Sequence, residues 1–586
     1  MAGGPERDAN SPPRAVKVTD GGFKPESLSV PMGATVLWVF PSTNDAPHSV
    51  TDPSGMGLFA SGPMDPGTKF QFSFEHAGSY RVLDETTSHF SRVTVPIKTS
   101  PKTGGLNTAF SVRWSKNPAP EGFAFDVQIK RPGRDGFEDW KTEVTRPRSR
   151  FSASKRGGTV AFRSRLVNNT TGSASGWSPA GRMLVVPINK IIVIVKENRT
   201  FDHMFGRFPG ANGATSGRTS TGAVVPLTRP PDRFAHDIAH RFLPGVRAVN
   251  GGRMNGFNLI SGGGRLEGYT QYRPAQLPNY WKYARRFLLA DRMFSSTYGP
   301  TIPEHLYLIA GTSKRVISNN VIEGTPRSIH YCDDPRERFQ RLGHHRKLIE
   351  WERKVKLNAI TGQISLVRAC LDVDTIFPKL DKRDVSWRYY VSGGFFKLPR
   401  AIKEMRTKAR SKRVMSPARF SGHVKHRRLA HVSYLIPPQL YNEHPSKARK
   451  SMCAGENWTV RRVNTIMRSS YWKRTAIFIV WDDFGGFYDH VRPPVLDEFG
   501  LGPRVPLLVI SPWVKDVKVA HATMELSSIL AFIERRFGIP PLGRRDAQAN
   551  DMFGLFDFSR KPLKPLVLRP RPEVKGARPP RCRGVG

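Results

Sequence analysis

Acidic residues are scarce in this chain: 48 Asp and Glu stand against 92 Lys and Arg over 586 residues, a formal net charge of +44. A deficit of that size favours polyanions, anionic membrane surfaces or negatively charged substrates without choosing among them. A basic surface that is merely solvated satisfies the same count. Long apolar runs are missing too, so no segment qualifies as a membrane span. The opening MAGGPERDANSPPRAV has no apolar core of a signal peptide, which implies either a chain shown without its leader or one not exported by that route. Cysteine is sparse. Cys332, Cys370, Cys453 and Cys582 lie far apart with no CxxC spacing, which argues against a cysteine zinc site and a disulfide-dense scaffold and leaves one Cys332–Cys370 bridge open.

Apolar and aromatic content are those of a folded protein, and the length exceeds one ordinary core, so two to four domains are expected. From 15 to 97, apolar and polar residues alternate between Gly and Pro punctuation: VKVTDGGF, SLSVPMGATVLWVF, KFQFSFEHAGSYRVL and SRVTVPI read as strands of a β-sandwich. Their order, with PHSVTDP around His48 and GSY before the last strand, resembles a cupredoxin. Blue copper needs a thiolate beside histidines. Asp84 stands about where the family has its cysteine, so no copper is expected at His48 or His89. From 107 to 186, AFSVRWS, GFAFDVQIKRPG and TVAFRSRLVNN are again strands. Trp114, Trp140 and a closing GWSPAG resemble a fibronectin type III module.

From 187 to 558, apolar strands alternate with helical stretches such as SSILAFIERRFG, the signature of an α/β domain. Two stretches carry its chemistry, IIVIVKENRTFDHMFG from Ile191 and TAIFIVWDDFGGFYDH from Thr475. Each is a β-branched run ending in oxygen donors, Glu197 and Asn198 in one and Asp482 and Asp483 in the other. Ligands collect outside the carboxyl ends of strands in open α/β sheets. Hard oxygen donors meeting there point to a divalent cation holding a phosphate. A very basic stretch runs from Lys403 to His431, and the 559–586 tail, rich in Pro, Arg and Lys, reads as disordered.

The large domain closely resembles the bacterial phosphoesterase family of non-haemolytic phospholipases C and acid phosphatases. The matching pieces occur in family order: ENRTFDHMFGRFPGANG, HDIAHRF, GGRMNGF, LPNYWKYARRFLLADRMFSSTYGPTIPEHLYLIAGTS, SWRYYVSG, VSYLIPPQLYNEHP, WDDFGGFYDHV, LGPRVPLLVISPW, SSILAFIERRFG and RDAQANDM. The resemblance implies a multidomain chain, two N-terminal β-sandwiches followed by a large α/β domain like alkaline phosphatase. It implies a metal held by Glu197, Asn198, Asp482 and Asp483, with Thr301 of GPTIPEH as the nucleophile, since a hydroxyl needs a metal to stabilise its alkoxide. His236 and His444 match positions lining the phosphate, one of them a proton donor to the leaving group. His490 falls just past the metal pair as a leaving-group or supporting residue, while His203 and His305 carry less weight. Two departures stand out: Asn255 replaces the Asp of the family's MDGF, and Ile302, Glu304 and His305 replace parts of the pattern after GPT. A glutamate so close to an anionic substrate is expected to turn away.

The implied reaction is phosphate-ester hydrolysis through a covalent phospho-threonine, with Ca, Mg or Mn favoured by the oxygen donors. The basic charge favours a substrate on an anionic surface, so phospholipase C comes first, and acid phosphatase or phosphodiesterase second. A third reading is a non-catalytic protein binding polyanions or cell surfaces. Secretion or the cell envelope is expected, and no specific nucleic acid partner.

Overall fold

A computed structural model describes residues 14–153, 156–322, 329–343, 364–393, 396–446 and 450–584. It divides into two compact units, 1–187 with 558–560, and 188–557 with 561–586.

The first unit holds two β-sandwich cores. In the first, strands Arg14–Thr19, Gly22–Lys24, Ala34–Val39 and Lys69–Phe74 form one sheet, and Ser27–Ser29, Phe90–Val95 and Gly78–Leu83 the other. Alternate residues face inward, and Trp38 anchors the interior against Phe59, Phe70 and Phe74. Asp84 is buried and lies 2.7 Å from His48 Nδ1. It also accepts from the Ser49 and Thr86 amides and the Thr87 hydroxyl. A carboxylate-centred hydrogen-bond network thus surrounds His48. His89 Nδ1 contacts the Thr87 hydroxyl at 2.9 Å.

Burial opposes charge on His48, but Asp84 and Asp20 outweigh it and raise its pKa. Burial also opposes charge on Asp84, yet bonds from Thr87, Ser49 and His48 hold its carboxyl below the ordinary range. The histidine's contribution to stability is complete below its unfolded pKa and is lost as pH rises through the elevated folded value. The Asp84 contribution is present above the ordinary carboxylate range and is lost as pH falls through the depressed value. Thermal melting followed through Trp38 from about pH 5 to 9 should therefore weaken on the alkaline side, and Asp84→Asn should flatten that loss. An unchanged alkaline slope in the variant would contradict the pairing.

In the second sandwich, Phe123–Lys130, Glu138–Val144, Gly158–Asn168, Gly181–Val186 and Thr103–Gly105 face Lys98–Ser100, Phe110–Arg113 and Arg148–Phe151. Trp114 is buried, and Trp140 meets it edge-on at 6.2 Å.

The second unit is built on an eight-stranded mixed sheet in the order Val414–Met415, Trp387–Tyr390, Val432–Leu435, Lys190–Lys196, Thr475–Trp481, Leu507–Ile510, Leu288–Ala290 and Val519–Ala520. The first five are parallel to one another, and Leu507–Ile510 runs against its neighbours. Lys190–Lys196 and Thr475–Trp481 are buried along their whole lengths, as expected for central strands covered on both faces. Leu526–Phe537 forms the helix that SSILAFIERRFG implies, closed by Gly538 in the left-handed conformation at φ 65°.

The basic stretch is folded, with helices Lys408–Ser411 and Arg419–Lys425 and strand Val414–Met415, and Arg410 and Arg413 anchor it on Asp381. The tail is also ordered as far as residue 584 rather than disordered. Asn464 Oδ1 accepts from the Leu568 amide at 3.1 Å and its Nδ2 donates to the Leu568 carbonyl at 2.7 Å. Asn457 brackets Arg571 in the same way. A Cys453–Cys582 disulfide then ties the tail to helix Met452–Met467, alongside the Cys332–Cys370 bridge. Among the described residues no helix is long and apolar enough to cross a membrane.

Candidate active site

Register pairs Lys196 with Trp481, so Glu197 and Asp482 leave the sheet side by side. The Asn198 amide donates to Asp482 Oδ1 at 3.0 Å, and the Arg199 amide to the Asp483 carbonyl at 3.0 Å. Asn198 is left-handed at φ 62°, a conformation that asparagine tolerates better than a bulky residue does. Gly485 closes the loop against it: a Cβ there would come within 2.5 Å of the Asn198 carbonyl oxygen.

Thr301 opens helix Thr301–Ala310, where the helix end favours negative charge. Its hydroxyl donates to Glu197 Oε2 at 3.2 Å. The structure thus brings Glu197, Asn198, Thr301, Asp482 and Asp483 together, all buried. His305 joins them one helical turn beyond Thr301, with Nε2 3.9 Å from Glu197 Oε1 and 3.7 Å from Asp482 Oδ2. The i,i+4 spacing from Thr301 was the signal that could have raised its weight. Glu304 does turn away: it accepts from the Ser296, Thr297 and Gly299 amides and the Thr297 hydroxyl, bracing the loop before the helix.

The histidines sort differently from the sequence expectation. His236 is exposed, and the segment instead presents His240. His240 Nδ1 lies 2.7 Å from the Ile238 carbonyl, which keeps the proton on Nδ1 and leaves Nε2 to accept from Asn198 Nδ2 at 3.0 Å. That bond takes up Asn198 Nδ2 and leaves Asn198 Oδ1 buried without a hydrogen-bond partner. His444 stands beside His240 with ring centres 5.3 Å apart, and Asp237 completes the group. Burial, with His240 and Lys450 nearby, pushes the His444 imidazole well below its ordinary pKa, so it is neutral at neutral pH.

His490 belongs to another network. Its Nδ1 is 2.6 Å from Asp202 and its Nε2 3.0 Å from Asn212, while Arg504 bonds both Asp202 and Asp489. That buried cation satisfies the acids there, and His490 orders a loop. His203 stacks on Phe487 at 3.8 Å and bonds the Thr270 carbonyl, a core role. Asn255 accepts from Asn250 Nδ2 at 2.8 Å in the turn after helix Phe242–Val249.

A cation fits this donor set. Glu197 Oε1, Asn198 Oδ1, Asp482 Oδ2, Asp483 Oδ2 and His305 Nε2 are all buried without a hydrogen-bond partner. Burial, with Asp482 and Asp483 adjacent, drives the Glu197 pKa well above its ordinary value; burial and Asp482 do the same to Asp483. Uncompensated buried carboxylates destabilise a fold, and a divalent ion offsets them. Asp483→Asn should therefore raise the melting temperature in chelator by about 3 °C and abolish the further rise that added Mn, Mg or Ca produces in the parent. A variant that still gains stability from the ion would remove Asp483 from the set.

The model of the Phosphoesterase family matches residues 188–540. Phospholipase C B of Mycobacterium tuberculosis is 25% identical over 453 residues, covering 66% of this chain and 81% of the relative. Hemolytic phospholipase C of Pseudomonas aeruginosa is 26% identical over 473 residues, covering 72% and 62%. Non-specific phospholipase C1 of Arabidopsis thaliana is 26% identical over 456 residues, covering 66% and 74%. Among solved structures, a purple cupredoxin from Nitrosopumilus maritimus aligns with 14% of this chain and 98% of its own at 28% identity, with a TM-score of 0.13.

Proposed function

The chain belongs to the phosphoesterase family, and from that premise we propose that it is a phospholipase C that cleaves phospholipids through Thr301 on an alkaline-phosphatase-like fold. The observation that carries this reading is the Thr301 hydroxyl, buried at a helix start and 3.2 Å from Glu197 amid five orphaned donor atoms. Glu197, Asn198, Asp482 and Asp483, with Thr301 itself and His305 at the rim, would hold the divalent ion. When bound, that ion supplies Lewis acidity to the phosphate and lowers the charge penalty on the alkoxide.

Glu197 Oε2 is placed to take the Thr301 proton. The Thr301 oxygen attacks phosphorus, and the bond to the diacylglycerol oxygen breaks. His240 and His444 line the phosphate, with His240 taking the place that the sequence offered to His236, and the proton taken up by Glu197 passes to the departing oxygen. Water then hydrolyses the phospho-threonine and releases the phosphorylated head group. His240 fixes the Asn198 amide throughout. A small cavity lined by Phe242, Val246, Val249, Tyr298 and Phe499, with Arg492, Asp497 and Glu498 also on its wall, lies beside the segments carrying His240 and Thr301. Two disulfides suit an oxidising compartment, in keeping with secretion or the envelope.

The test is metal-dependent release of nitrophenol from p-nitrophenyl phosphorylcholine and from p-nitrophenyl phosphate. Cleavage of the diester supports the phospholipase reading. Cleavage of the monoester alone moves it to phosphatase. Turnover of neither, across several metals, favours a binding protein on this scaffold.

A further inference from the structure

We propose that a cavity at the edge of the large sheet, walled by Lys397, Arg400 and Arg406, is an exosite that docks the protein on the phosphate head groups of an anionic phospholipid bilayer. The proposal rests on the phospholipid reading above and adds where the surface is engaged. Between Lys397 and Arg428 the sequence holds 12 Lys and Arg and a single carboxylate, Glu404. Glu404 is half-buried and accepts from the Thr375 amide at 2.8 Å, so its charge is partly spent within the fold. Arg410 and Arg413 are committed to Asp381, Lys403 to Asp372 and Arg406 to Asp333. Among the described residues, Lys397 and Arg400 have no ion-pair partner, and both line the cavity.

This is a formed cavity and not only a basic run. It spans about 290 Å³, with Ser411 and the Arg406-paired Asp333 on its wall and Pro399, Met405 and Val414 as its apolar lining. That combination suits a phosphate whose next atoms are glycerol and acyl carbons. The Cys332–Cys370 disulfide braces it from two sides. Asp333, next to Cys332, pairs with Arg406 at 2.6 Å. Leu371, next to Cys370, donates its amide to the Ala401 carbonyl at 2.6 Å and accepts from the Lys403 amide at 3.0 Å.

The placement also fits an interfacial enzyme. Strand Trp387–Tyr390 is parallel to Val432–Leu435, which is parallel to Lys190–Lys196. The chain after Tyr390 therefore leaves the sheet at the end where Glu197 and Asp482 lie. A bilayer held there meets the same end of the domain as the candidate active site. Each cation close to an anionic membrane contributes appreciably to binding, and the contribution fades within a Debye length.

The experiment is cosedimentation of the full chain with vesicles of phosphatidylcholine alone and of phosphatidylcholine with phosphatidylglycerol in equal parts, at about 0.15 M salt. Lys397→Glu/Arg400→Glu is compared with Arg148→Glu/Arg150→Glu, which changes net charge equally on exposed residues of strand Arg148–Phe151. Partition of the Lys397/Arg400 variant onto the mixed vesicles should fall at least about tenfold, and that of the control less than about threefold. Lys397→Gln/Arg400→Gln should fall in between, and all three should cleave soluble p-nitrophenyl phosphorylcholine like the parent, which also reports folding. Equal losses in the two charge-reversed proteins, or none in either, would overturn the exosite. Retention of the parent on a soluble polyphosphate but not on the mixed vesicles would overturn the bilayer as its partner. Absence of diester turnover in the parent would instead count against the phospholipase reading, with the vesicle result standing by itself.

Discussion

Thr301→Ala should lower turnover of the cleaved nitrophenyl ester by about three orders of magnitude or more while leaving the melting temperature nearly unchanged. The side chain makes one hydrogen bond, to Glu197, and alanine removes only that hydroxyl and one methyl group, so little packing is lost. What disappears is the oxygen that would form the bond to phosphorus. Thr301→Ser keeps that oxygen at the same helix start and should retain most of the activity. The parent, quenched in acid during turnover, should carry phosphate on the peptide containing Thr301, and the alanine variant none. An alanine variant that keeps a tenth of the parent's rate would mean that water attacks directly, with Thr301 reduced to supporting Glu197.

The meeting of Glu197 and Asn198 with Asp482 and Asp483 was readable because strand end and oxygen donors coincide there. A β-branched run that stops at Glu-Asn or Asp-Asp puts oxygen donors at a strand end, and parallel pairing of the two strands sets them side by side. The histidines were less legible for a local reason. HDIAH carries two of them, four residues apart in irregular backbone, with no periodicity to tell inward from outward; only the contact with Asn198 selects His240 over His236. His490 follows the Asp pair closely in sequence, but the chain has already turned towards Asp202 and Arg504. The tail misled by composition: Pro and Arg usually mark disorder, whereas Asn457 and Asn464 satisfy its backbone and Cys453 fixes its end. Four cysteines allow three pairings, and sequence alone could not choose one.

The largest effect on stability should come from Glu443, which touches no substrate in this account. Its carboxylate lies 2.9 Å from Lys196 Nζ, with both side chains fully buried, and accepts from the Tyr280 hydroxyl at 2.7 Å and Trp481 Nε1 at 3.0 Å. Lys196 also donates to the Tyr441 and Gly455 carbonyls. Burial lowers the pKa of Lys196 and the Glu443 carboxylate opposes the fall, so the ammonium depends on its partner. Glu443→Ala leaves that cation unpaired beside Glu197 and should cost about 3–5 kcal/mol in denaturant unfolding. Glu443→Gln keeps one acceptor oxygen, enough for the Trp481 bond, and should cost less. Lys196→Met/Glu443→Gln removes the orphaned charge, so its loss should fall short of the two single losses added together, a coupling that only direct interaction produces. The pair also ties the residue before Glu197 to the loop between Asn442 and His444. Below the melting temperature, Glu443→Gln should therefore lower kcat more than it raises KM, as displaced reacting groups do. An alanine variant within about 1 kcal/mol of the parent would show that water reaches Lys196 and that the pair is not the clamp this geometry describes.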